Sequence, residues 1–154
     1  MKIYLVQHGE AVSESVNPER PLSEKGLADV NKVASFLPSA GACVSTIRHS
    51  GKTRARQTAE ILASTLLPGK GLFETKGLLP NDPVGPFVEN LNKAEETLMI
   101  VGHQPFLGKL AATLVTGSEW REVVGFQQGG VLCLERLDSG VWRIAWMLVP
   151  SILR

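Results

Sequence analysis

Two apolar runs that end in a glycine and a histidine constrain this chain more than any other feature. Lys2 to Gln7 is a short run rich in β-formers that stops at His8-Gly9, and Thr97 to Val101 is another that stops at Gly102-His103. Runs of this length, apolar throughout rather than alternating, are the pattern of strands buried on both faces of a parallel sheet. Such strands end at a carboxyl edge, where α/β sheets take their ligands. Both histidines are therefore expected to open onto one edge.

The segments between these runs have helical spacing. Ser23 is placed to cap a helix with Leu27, Val30, Val33, Ala34 and Leu37 on one face. Ala42 to Ile47 reads as a second buried strand, followed by a helix from Lys52 to about Leu66 with Ala55, Ala59, Leu62 and Leu66 inward. Gly77 to Pro86 reads as loop, before a modest helix carrying Phe87, Val88 and Leu91; Pro105 opens a helix with Phe106, Leu107, Leu110 and Leu114. From Trp120 to Val149 the pattern is two or three strands with turns at Gln128-Gly129-Gly130 and Asp138-Ser139-Gly140. Trp120, Trp142 and Trp146 fall in strand-like stretches and are expected to pack in the core or at a sheet edge. Alternating strands and helices predict one domain over residues 1–154, an α/β fold in three layers, α/β/α, around a mainly parallel central sheet.

Composition narrows what such a domain does. Hydrophobic residues make up 44% and charged residues 20% of the 154, a globular balance. The net charge of +1 is spread along the chain, with no basic stretch to serve nucleic acid or a membrane surface. Cys43 and Cys133 lie far apart, and the apolar N-terminus turns polar at Gln7, too soon for a signal core or a membrane span. A reducing compartment, the cytoplasm, is expected.

Four segments carry chemistry. In Gln7-His8-Gly9-Glu10-Ala11 a histidine at a strand end faces ligand while its backbone stays held, as a positioned nucleophile requires. Ser50 to Thr58 opens a helix, where free N–H groups and the helix dipole favour an anion, and Arg54 adds a forked cationic donor for phosphate oxygens. Arg56 points elsewhere on that helix, and His49 before it is expected to be structural or to face solvent. Arg20-Pro21-Leu22-Ser23 with Gly26, and Gly102-His103-Gln104-Pro105, complete the set. Gly51-Lys52-Thr53 invites a nucleotide-binding reading, but Thr46 stands where that phosphate-loop motif needs glycine. A zinc site would need a third clear ligand beside His8 and His103, and Arg54 would repel the cation.

In this order and spacing the four segments resemble the histidine phosphatase superfamily, whose fold is phosphoglycerate mutase-like, and most closely its SixA-type phosphohistidine phosphatases. The match covers nearly the whole chain. The resemblance implies that His8 is the nucleophile and that Arg54 and His103 bind the transferred phosphoryl group, with Gln7, Gly9, Arg20, Ser50 and Asp82 in the phosphate site and no metal or cofactor. It also implies a phosphorylated protein of the histidine phosphotransfer type, or a small phosphate ester, as substrate.

Gln7 departs from that pattern, since the family carries an arginine there. Glutamine keeps a neutral amide donor and loses the charge and the fork, which motivates an alternative reading as a phosphate or phosphoprotein binder without turnover. The general acid is open between Glu10 and Asp82. An alkyl ester leaves as a basic alkoxide and needs that acid, whereas phosphohistidine leaves as neutral imidazole once its other nitrogen is protonated.

Overall fold

The N-terminal run is buried because it becomes an inner strand of a six-stranded sheet in the computed structural model, which describes residues 1–154. The elements are β1 (Lys2–Gln7), α1 (Glu24–Phe36), β2 (Thr46–His49), α2 (Thr53–Leu66), β3 (Gly71–Glu74), α3 (Gly85–Lys93), β4 (Leu98–Gly102), α4 (Phe106–Thr116), β5 (Val131–Arg136) and β6 (Trp142–Leu148). Across the sheet they run β3-β2-β4-β1-β5-β6. The first four in that order are parallel, and β5 and β6 are antiparallel additions at one edge.

Alternation along β1 sorts its side chains between two cores. Tyr4 and Val6 join Val30, Val33 and Ala34 of α1 and Ala55, Ala59 and Leu62 of α2. Ile3 and Leu5 join Phe87 and Leu91 of α3 and Phe106, Leu107 and Leu110 of α4. Helices α1 and α2 thus cover one face and α3 and α4 the other, the expected three layers. No helix is long and apolar enough to cross a membrane.

Several elements differ from the sequence reading. The second strand begins at Thr46 instead of Ala42, because its extent is set by pairing with β4 from Thr46↔Leu98 to His49↔Val101. β3 went unread: four residues starting at a glycine are too few to display a period. The stretch from Trp120 to Gly130 holds no strand, so the last third has two. Trp120 is 79% exposed, contrary to the core or edge role expected of it; the chain leaves α4 at the Gly117 cap, with φ 81°, and the Lys109 ammonium lies 5.2 Å from the ring centroid. Trp142 is buried and Trp146 lies against Tyr4, as expected. Leu27 is also exposed, because the inner stripe of α1 starts one residue earlier, at Gly26.

Candidate active site

Strand register brings the two histidines together. Gln7 of β1 pairs with Gly102 of β4 in a parallel ladder, so the next residue on each strand, His8 and His103, leaves the sheet side by side. Their ring centroids are 5.0 Å apart. The His8 N–H donates to the Gly102 carbonyl at 3.1 Å and continues the ladder one step. On the other side of β4, β2 ends at His49, and Ser50 follows with Oγ 2.6 Å from His103 Nε2. Arg54 sits in the first turn of α2, and its Nε–H points at His8 Nε2 at 3.4 Å.

The environment of His8 fixes its tautomer. Nδ1 lies 2.7 Å from the carbonyl of Gly9, which can only accept, so Nδ1 carries the proton and Nε2 keeps its lone pair. Burial pushes the His8 pKa down to about 4, the Gly9 carbonyl opposing and Arg54 and Arg20 adding to the fall. His103 is pushed down to about 3 by burial, then by His8, Arg54, Lys52 and Arg20. Both rings are neutral at pH 7, and the positive charge of the site resides on Arg54, Arg20 and Lys52. His103 Nδ1 is buried without a partner.

Arg20 reaches the site from the loop between β1 and α1. Its backbone has φ 50°, its Nε–H donates to the Val12 carbonyl at 3.1 Å, and the loop is tied to α2 where the Leu22 N–H donates to Gln57 Oε1 at 2.8 Å. Gln7 is half-buried, with an Oε1 that has no partner.

Both candidate acids, Glu10 and Asp82, accept hydrogen bonds. Glu10 Oε2 accepts the Ser23 hydroxyl at 2.6 Å, and Ser23 Oγ in turn accepts the Gly26 N–H at 3.0 Å, capping α1. Glycine is required there, since a Cβ on Gly26 would lie 2.0 Å from the Glu10 carbonyl oxygen. Asp82 accepts the Leu79 N–H at 2.8 Å and lines a separate cleft of about 520 Å³ with Arg48, Thr75 and Phe87. The structure therefore gathers His8, Gly9, Arg54, His103, Ser50 and Arg20, turns Glu10 toward α1, and leaves Asp82 in its own turn.

His49 is structural: it is buried, and its Nδ1 accepts the Gly51 N–H at 3.1 Å. Arg56 is exposed near Glu60, as expected. Gln57 and Thr58 were missed as supports of the site. Their signal lay in the helical spacing, because residues three and four after Arg54 share its face. No group of three or more His, Cys, Asp or Glu side chains is placed to hold a metal ion.

No protein-family model matches the sequence. The chain is 37% identical over 138 residues to an uncharacterized protein of Picosynechococcus sp. (strain ATCC 27264 / PCC 7002 / PR-6), covering 84% of this chain and 76% of that one. It is 23% identical over 159 residues to the phosphohistidine phosphatase SixA of Escherichia coli (strain K12), covering 100% of this chain and 97% of the relative. A solved structure of the protein histidine phosphatase SixA complexed with tungstate matches with a TM-score of 0.88 at 22% identity, covering 100% of both chains.

Proposed function

Because the chain belongs to one family with its Picosynechococcus relative and has the phosphoglycerate mutase-like fold of the SixA-type histidine phosphatases, we propose that it is a metal-independent phosphatase that works through a covalent phosphohistidine on His8. Its substrate is phosphohistidine on a protein of the histidine phosphotransfer type, or a small phosphate ester. The observation that carries this reading is the bare, neutral Nε2 of His8 beside the Arg54 guanidinium. The match to a SixA that binds tungstate, itself a tetrahedral oxyanion, supports a phosphoryl group as the ligand.

In the first step the Nε2 lone pair attacks phosphorus and the bond from phosphorus to the leaving nitrogen or oxygen breaks. Arg54, Arg20 and His103 hold the equatorial oxygens, where charge spreads during transfer. Water then attacks the phosphohistidine, inorganic phosphate departs, and Nε2 regains its lone pair. Glu10 accepts from Ser23 and Asp82 from Leu79, which supports a reading in which neither carboxylate protonates an alkoxide. Phosphoramidates, which leave as neutral amines or imidazole, are the preferred class.

Gln7 favours a second reading, a phosphoprotein binder without turnover, because it brings no charge to the phosphate. Mixing the protein with phosphoramidate and searching His8 for acid-labile phosphate by mass spectrometry separates the two. A phosphatase yields labelled His8 and none in His8→Ala; a binder retains no covalent phosphate. Turnover of phosphohistidine proteins against small phosphate esters then ranks the substrate classes.

A further inference from the structure

Thr58 is fully buried, and its hydroxyl makes two hydrogen bonds. It donates to the Arg54 carbonyl one helical turn back at 2.8 Å and accepts the Gly9 N–H at 3.0 Å. Gly9 in turn offers the carbonyl that takes the Nδ1 proton of His8. One oxygen thus joins the turn that carries Arg54 to the glycine that orients the nucleophile. We propose that Thr58 is a positioning residue that holds Gly9 so that His8 keeps its proton on Nδ1 and presents a bare Nε2 beside Arg54.

The packing around Gly9 shows why a hydroxyl is needed. A Cβ at Gly9 would lie 2.7 Å from Val30 Cγ2 and 3.1 Å from the Gly26 carbonyl oxygen, so α1 presses on the glycine from one side. Thr58 fixes it from the other. Without the hydroxyl the buried Gly9 N–H loses its acceptor, a loss the backbone relieves by rotating toward another partner. The carbonyl that sets the His8 tautomer turns with it, and Nε2 leaves its place 3.4 Å from Arg54 Nε. A misplacement of about 1 Å is enough to slow transfer between bound groups.

This inference rests on the phosphatase reading only for its rates, since the tautomer belongs to the resting protein. The test compares Thr58→Val, which keeps the shape and removes the hydroxyl, with Thr58→Ser, which keeps the hydroxyl. Nitrogen NMR of the His8 ring reads the tautomer, single-turnover labelling by phosphoramidate reads the rate, and thermal melting checks folding. Wild type and Thr58→Ser should show one tautomer protonated at Nδ1. Thr58→Val should mix the two tautomers and slow His8 labelling about ten- to hundredfold. Should the valine variant not fold, Thr58→Cys, with a weakly accepting thiol, should shift the same signals in the same direction.

Wild-type tautomer and rate in Thr58→Val would overturn the proposal. So would a serine variant as impaired as the valine one, which would reduce Thr58 to packing. A wild-type protein that is never labelled would end the phosphatase reading and leave the NMR comparison to decide on Thr58.

Discussion

The imidazoles of His8 and His103 face each other with ring centroids 5.0 Å apart and planes tilted by 52°. Two charged imidazoles so close would repel each other, and burial removes that conflict by holding both rings neutral. In the proposed function the cationic side chains near them meet the charge of a phosphoryl group.

The first prediction concerns the acid limb of activity. In the proposed mechanism the nucleophile is the neutral form of His8, whose pKa is lowered to about 4. Labelling of His8 by phosphoramidate, corrected for the ionisation of the donor, should stay level from neutral pH to about pH 5 and fall only below that. A fall centred near the ordinary histidine value of about 6.5 would mean that the ring is solvated.

Stability should follow the same groups. In the unfolded chain both histidines take up protons near pH 6.5, whereas folded His8 and His103 do so near 4 and 3. Between these values the unfolded state binds more protons. The stabilisation is therefore fully present above about pH 6.5 and is lost as pH falls toward 4 and below. Urea midpoints should drop steadily over that window in wild type and less steeply in His103→Asn; equal slopes would contradict the burial argument.

Gln7→Arg should raise turnover of a generic phosphoramidate. A hydrogen bond to a charged group exceeds a neutral one by enough to give about tenfold in rate if it is felt in the transition state. Steady-state kinetics of both proteins decide it. Unchanged or lower turnover would show a pocket tuned around the amide.

Gly26→Ala places a methyl group against the Glu10 backbone, 2.0 Å from its carbonyl oxygen. Either α1 or the loop after His8 must move, at about 1 to 3 kcal/mol. Chemical denaturation should show that loss, accompanied by slower labelling of His8. A variant as stable as wild type would mean that α1 slides freely over the loop.

Much of this molecule was legible from local pattern. The two strand–histidine runs, the Ser23 cap and the inner stripes of α2 and α4 could be read because burial periodicity is written residue by residue. The errors fell where the pattern is short or competes with position. β3 has four residues, Trp120 resembles a core residue but stands exposed beyond the Gly117 cap, and Leu27 lies one residue off the stripe.

At the site the division is sharper. The sequence by itself determined which residue types stand at the strand ends and at the start of α2, because chain neighbours fix those placements. Only the tertiary structure decided that β4 lies between β1 and β2, which makes neighbours of His8, His103 and Ser50. It alone turned Glu10 toward Ser23, left Asp82 with Leu79 and put Thr58 against Gly9. Hydrogen bonds between residues far apart in the chain depend on register and packing across the whole sheet, and no local stretch of sequence encodes them.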